Sequence, residues 1–163
     1  MSRLNFRQPT RSDIDRCYEI ETTSYAGDEA ATKEKILKRI ETYPQGFLLL
    51  ENEKEIIGFI NSGATDNIQL SDEAFKELVG HDEKGKMIVI MSVVTHPDYQ
   101  KQGMAGRLVS RFIDDMKSLG KSSIFLICQV ELIAMYAKYG FIDLGESESE
   151  HGGLKWHEMS LEL

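Results

Sequence analysis

The sequence predicts a mixed α/β domain, and three observations carry that expectation. Short apolar strands alternate with amphipathic helical stretches. The near-continuous apolar run Met87–Val94 suits a central strand. After Gly103, apolar residues recur at Met104/Ala105, Leu108/Val109, Phe112/Ile113 and Met116, a 3.6-residue period that stops at Leu119-Gly120.

Taken in order, Leu4–Arg7 alternates as a strand. Thr10 or Ser12 caps a helix to about Glu21, with Ile14, Cys17, Tyr18 and Glu21 on one face. Thr32 caps a second helix carrying Ile36, Leu37 and Ile40, which ends before Tyr43-Pro44. Phe47–Leu50 and Ile56–Ile60 form a hairpin turning at Asn52-Glu53, and Ser71 starts a short helix. The central strand and long helix follow. Then come a strand at Ile124–Cys128, a helix at Leu132–Tyr139 closed by Gly140, and strands at Phe141–Leu144 and Trp156–Leu161. The order is β-α-α-β-β-(α)-β-α-β-α-β-β, expected as one domain over residues 1–163.

Composition narrows the function classes. With 19 Lys+Arg against 27 Asp+Glu, the net charge is −8, which argues against nucleic acid and anionic membranes as partners. No apolar run approaches a bilayer span, and the N-terminus lacks a signal-peptide core, so a cytoplasmic protein is expected. Cys17 and Cys128 are expected as unpaired thiols. His81, His96, His151 and His157 are scattered without ligand spacing, so no metal is expected.

The segment Val93-Val94-Thr95-His96-Pro97-Asp98-Tyr99-Gln100-Lys101-Gln102-Gly103-Met104-Ala105-Gly106 carries the chemistry. A buried strand stops at a proline, a polar turn follows, and a glycine opens a long helix. The first amides of a helix lack intrahelical partners, and with the helix dipole they attract anions. Small residues let a ligand approach the backbone, so a diphosphate is the natural ligand class. Lys101 and Arg107 add positive charge, and His96 reads as surface. The pattern is neither a Walker A loop nor a dinucleotide fingerprint. A plain strand-to-helix connection remains the alternative.

Gln100-Lys101-Gln102-Gly103-Met104-Ala105 resembles the Gln/Arg-x-x-Gly-x-Gly/Ala motif of the GCN5-related N-acetyltransferase (GNAT) superfamily, and Thr95-His96-Pro97-Asp98-Tyr99 resembles its usual Val-x-Pro-x-Tyr lead-in, with threonine in place of valine. Met135-Tyr136-Ala137-Lys138-Tyr139-Gly140-Phe141 resembles that superfamily's Leu-Tyr-x-Lys-x-Gly-Phe signature. Within the superfamily the chain is most similar to the arylalkylamine (serotonin-type) branch, through Glu19-Ile20-Glu21, the Phe47-to-Phe59 hairpin, Ser71–Gly80 and Leu126-Ile127-Cys128.

The resemblance implies a mixed, mostly antiparallel sheet of six to seven strands flanked by about four helices, with a splayed central strand pair that binds acetyl-CoA. It places the diphosphate on Gln102, Gly103, Met104, Ala105 and Gly106, with Lys101 at the edge, and the pantetheine arm beside Val93, Val94 and Thr95, where a β-bulge opens the gap. A Val93 or Val94 amide polarises the thioester carbonyl. Tyr136 matches the tyrosine that protonates the leaving thiolate, while Tyr139 is read as packing.

The branch's two histidines on the central strand are replaced here by Val89 and Met91. An alkylamine has a pKa of about 10, so only about one molecule in 10³ is neutral at pH 7 and a base is needed. Glu21, near the end of the first helix, and Asp66, after the third strand, are the candidates; Glu21 is taken as the base, acting through water, and is otherwise a solvated or capping carboxylate. Trp156 and Cys128 read as packing, and Glu146–Glu150 as a solvated loop. The implied activity is acetyl-CoA-dependent acetylation of a small primary amine by a monomer or homodimer. A peptide N-terminal acetyltransferase and a non-catalytic acetyl-CoA sensor are the alternatives.

Overall fold

The computed structural model describes residues 3–24, 31–67, 81–147 and 155–163. Seven strands form one mixed sheet: β1 (Leu4–Arg7), β2 (Leu48–Asn52), β3 (Glu55–Thr65), β4 (Met87–Thr95), β5 (Ser123–Cys128), β6 (Ile142–Glu146) and β7 (His157–Glu162), in the order β1-β2-β3-β4-β5-β7-β6. Only β4 and β5 run parallel. Four α-helices flank the sheet: α1 (Ile14–Ser24), α2 (Lys33–Thr42), α3 (Met104–Ser118) and α4 (Ile133–Lys138). The expected helix at Ser71 lies outside the described residues.

Each helix forms for a local reason. The Thr32 hydroxyl accepts the Lys35 N–H at 3.2 Å and starts α2. A 3₁₀ turn over Arg11–Asp13 leads into α1, capped by Thr10, whose own N–H is held by Asp13 at 2.7 Å. Helix α3 turns Leu108, Val109, Phe112 and Met116 into the core, each burial favourable by about 1.5–3 kcal/mol. Gly120, at φ 77°, terminates it.

The sheet separates two cores. On one face α3 and Tyr136 of α4 pack on Leu50, Ile60, Ile88, Ile90, Ile124 and Leu126. On the other, Cys17, Ile20, Ile36 and Ile40 of α1 and α2 pack on Leu49, Phe59 and Val94. Ile20, not Tyr18, completes the inner face of α1; Tyr18 is 37% exposed.

Two one-residue bulges adjust this arrangement. Leu50 pairs with Gly58 but Glu51 with Ile56, leaving Ile57 extra; Asn61 pairs with Ser92 but Ser62 with Ile90, leaving Met91 extra. Because strand side chains alternate, one inserted residue exchanges the faces beyond it. Ile88 and Ile90 thus share the α3 face with Val93, while Val94 joins the α1/α2 core.

β3 runs five residues past the expected end at Ile60. The continuation Asn61-Ser62-Gly63-Ala64-Thr65 is small and polar yet buried throughout, and most of its side-chain polar atoms find partners: Ser62 Oγ donates to the Gly46 carbonyl at 2.8 Å and Asn61 Oδ1 accepts from Arg39, while Asn61 Nδ2 has none among the described residues. The hairpin turns at Glu53-Lys54, both at positive φ, one residue later than expected.

Arg7 ties β1 and β2 to the start of α1. Its guanidinium donates to both Asp13 oxygens at 2.8 and 2.9 Å and to Glu51 at 2.9 Å. The Arg7 bonds hold Asp13 below the usual carboxylate range. Burial pushes Glu51 up, but Arg7 and Asn5 outweigh it and the net shift is also downward. Carboxyls depressed in the folded state stabilise above their unfolded values, and that contribution is lost as pH falls through the folded ones. Arg7→Met is therefore expected to lower stability at pH 7 by about 1–3 kcal/mol. Denaturant titrations should also show a shallower acid limb below about pH 5 than in the wild type; an unchanged acid limb would contradict this assignment.

Candidate active site

The site grows out of the β4 bulge. The β4–β5 ladder covers only Met87–Val89 against Ser123–Phe125. Beyond it β4 turns at Met91, while β5 stays paired with β7 from Ser123 to Cys128. The two parallel strands separate, and a cavity of about 240 Å³ opens between them. Ile90–Val93 form one wall and Leu126–Gln129 the other. Glu21 and Ser24 of α1 reach it from one side; Leu132, Tyr136 and Trp156 complete it.

At the end of β4 the chain makes the expected turn. Pro97–Tyr99 is a 3₁₀ turn whose cap is His96, accepting the Asp98 N–H on Nδ1 at 3.1 Å; His96 is a half-buried capping group rather than free surface. Gln100 Nε2 donates to the Thr95 carbonyl at 3.0 Å and Gln102 Nε2 to the Asp98 carbonyl at 3.2 Å, fixing the loop from within. Lys101 and Gly103 take left-handed φ of 62° and 80°. The first α3 backbone bond is Arg107 N–H to the Gly103 carbonyl, at 3.1 Å. The amides of Met104, Ala105 and Gly106 precede it and point out of the helix start.

No atom outside its chain neighbours lies within 4 Å of where a Gly103 Cβ would stand, so the space beside the turn is open. At Gly106 a Cβ would overlap the Tyr139 hydroxyl, which lies on the first turn of α3. An open, amide-lined helix start fits a phosphate group. The Thr95 hydroxyl, buried and without a partner among the described residues, adds a polar group at the end of β4.

The cavity's polar groups are buried. Tyr136 is 4% exposed and meets Phe141 edge-on at 5.7 Å. Glu21 is 1% exposed and accepts the Ala31 N–H at 3.1 Å, so it is neither solvated nor a helix cap. Arg39 of α2 is 3% exposed and donates to Asn61 Oδ1 at 3.3 Å and Ser92 Oγ at 3.5 Å. Burial lowers its pKa to about 10, against the raising effect of the Glu21 charge. Cys128 lines the cavity, but burial, then Asp143 and Glu131, push its thiol up to about 11, and it faces Met159 Sδ at 3.6 Å. Cys17 is raised to about 12, chiefly by burial, and neither cysteine is in a disulfide.

Among the expected site residues, Val93, Tyr136 and Glu21 meet at the cavity. Val94 turns its side chain into the α1/α2 core, and the Thr95 carbonyl is occupied by Ser24 Oγ and Gln100 Nε2. Lys101, Gln102, Gly103, Met104, Ala105 and Gly106 form the amide turn. Asp66 is exposed, accepts the Lys86 N–H at 2.8 Å, and does not line the cavity. Trp156 lines the cavity, which the packing reading of the sequence missed. Met91 lines it too and Val89 pairs with Phe125, so neither position supplies a base. His151 and residues 148–150 lie outside the described residues. No group of three metal-ligating side chains occurs among the described residues, and none of their helices is long and apolar enough to cross a membrane.

Sequence reasoning also missed Arg39, Asn61 and Ser92. The one available signal was an arginine between Ile36 and Ile40 on the apolar face of α2.

A family model described as "Acetyltransferase (GNAT) family" matches residues 14–141. The chain belongs to this family. It is 23% identical over 145 residues to "Probable hydrolase YhcX" of Bacillus subtilis (strain 168), covering 83% of this chain but only 28% of that protein's length. The loading GNATL domain of CurA from Lyngbya majuscula superposes with a TM-score of 0.85 at 21% identity, covering 98% of this chain and 97% of that one. The GphF GNAT-like decarboxylase in complex with isobutyryl-CoA superposes at 0.82 and 13% identity, covering 97% and 98%. At these identities the likeness is one of fold, and the seven-stranded GNAT sheet with four helices is that fold.

The amide turn of this GNAT chain yields a direct prediction. Gly103→Ala forces alanine into a left-handed φ where the turn enters the helix. The conformational strain is expected to cost about 1–2 kcal/mol, and calorimetric Kd for CoA should rise at least tenfold. An unchanged Kd would reduce the turn to a plain connection.

Proposed function

We propose that this chain is an acetyl-CoA-dependent N-acetyltransferase acting on a small primary amine, arylalkylamine or polyamine-like, in a ternary complex. The observation that carries the reading is one cavity between splayed strands with a buried phenol, Tyr136, and a buried carboxylate, Glu21, in its walls. Family membership supports acyl transfer, and the sequence similarity to the arylalkylamine branch supports a small amine.

In this reading the diphosphate rests on the Gln102–Gly106 amides beside Lys101, and the pantetheine arm runs along the β4 edge at Val93–Thr95. A Val93 or Val94 amide polarises the thioester carbonyl and holds the tetrahedral oxyanion. The cationic amine first gives a proton to Glu21, directly or through water, and the neutral nitrogen then attacks the carbonyl carbon. The C–S bond breaks, the CoA thiolate takes the Tyr136 proton, and the second nitrogen proton restores the phenol. Glu21 stands in for the histidines that Val89 and Met91 replace, and its negative charge suits a cationic amine.

The test is CoA release from acetyl-CoA with tryptamine, phenethylamine, spermidine and short peptides, in wild type, Tyr136→Phe and Glu21→Gln. We expect release with a small amine, a fall in kcat of roughly 10²–10⁴-fold in Tyr136→Phe, and a comparable loss in Glu21→Gln near neutral pH. Turnover on peptides alone would replace the small amine by a protein N-terminus. Acetyl-CoA binding without turnover on any acceptor would favour a sensor.

A further inference from the structure

We propose that Arg39 is a positioning residue of this site: it latches the β4 bulge through Asn61 and Ser92 and holds the Glu21 carboxylate in its charged form at the cavity wall.

Helix α2 presents Ile36, Arg39, Ile40 and, just beyond its end, Tyr43 to the interior, and all four are buried. An apolar side chain at position 39 would continue that face. A guanidinium taken out of water there costs several kcal/mol unless its charge and donors are met. It is met at a particular place. Asn61 and Ser92 are cross-strand partners on β3 and β4, the last regular pair before the register shift that leaves Met91 extra. One Arg39 nitrogen, Nη1, reaches both, at 3.3 and 3.5 Å. Arg39 therefore ties α2 to both strands at the edge of the bulge that opens the cavity. Ser92 is also a wall residue, next to Val93.

The second half is electrostatic. Glu21 approaches from α1, lines the same cavity, and its charge acts on Arg39. The attraction is mutual, so Arg39 favours the ionised carboxylate as Glu21 favours the guanidinium. The described groups named at this wall are uncharged. Cys17, earlier on α1, is a neutral thiol; Asn61 and Ser92 of β3 and β4 meet Arg39 as neutral partners; Ala31 gives Glu21 a backbone N–H. Tyr136 of α4 and Cys128 of β5 reach the cavity as a phenol and a neutral thiol. Arg39 is thus a buried cation placed to keep Glu21 charged in a dry wall. That Glu21 then serves as the base rests on the proposed function; that Arg39 sets its charge does not.

The test uses the full chain with carbon-13-labelled glutamate, the Glu21 carboxyl signal assigned by its loss in Glu21→Gln. In Arg39→Met the Glu21 titration midpoint should rise by at least about one pH unit, and the acid limb of kcat/KM should move up in parallel. Arg39→Lys should restore both toward wild type. Arg39→Lys also keeps the charge but loses the planar fork, so amide exchange at Ser92 and Val93 should quicken at least about tenfold. If Arg39→Met does not fold, as judged by its melting transition, the exchange measurement on Arg39→Lys carries the test. A Glu21 midpoint unmoved in folded Arg39→Met, or Ser92–Val93 exchange unchanged in Arg39→Lys, overturns the proposal. A shifted midpoint with full activity in Glu21→Gln sustains it and defeats Glu21 as the base.

Discussion

One extra residue in β4 decides the geometry of this site. Met91 has no partner on β3, so β4 enters its second half with its faces exchanged and its direction altered. The parallel ladder to β5 stops after three residue pairs. A continuous sheet there would close the cavity and satisfy the β4 backbone with β5. The bulge instead leaves an edge inside the protein, which only a ligand, water or a neighbouring side chain can satisfy. It also puts Val93 on the α3 side and Ser92 on the α1/α2 side of the same wall.

Around that edge the two cores supply different chemistry. The α3/α4 side brings the phenol of Tyr136 and, where β4 ends, the open amides of Met104–Gly106. On the α1/α2 side one polar seam lies beside the bulge, where Arg39, Asn61, Ser92 and Glu21 are all buried. A buried seam of this kind is weak as a source of stability, since an apolar replacement is often neutral or better. Its position beside the bulge gives it a reason to exist.

Much of this was legible in the chain. The Pro97-to-Gly103 turn, the 3.6-residue period of α3, the Thr32 cap and the β4 apolar run each reflect a local rule, and each element formed within a residue or two of expectation. What stayed hidden depended on tertiary partners. Asn61–Thr65 looks like a loop until Arg39, Gly46 and the flanking strands meet its polar atoms. Tyr18 and Ile20 exchange roles because α1 begins after a 3₁₀ turn, which rotates its inner face. Asp66 and Glu21 are both candidate carboxylates in sequence, with Glu21 taken as the base, and the fold separates them. The family resemblance implied a bulge in β4, but its position at Met91 has no signature in Met-Ile-Val-Ile-Met.

The central claim is that the opened β4 edge and the α3 amide turn together form the acyl-CoA site. The direct measurement is backbone hydrogen exchange with and without saturating acetyl-CoA. The account predicts added protection confined to two stretches, Ile90–Thr95 and Lys101–Gly106, with little change in β1 or the outer face of α3. Protection centred instead on the groove lined by Phe6, Arg111 and Leu119, or saturable binding that leaves Ile90–Thr95 unprotected, would contradict it.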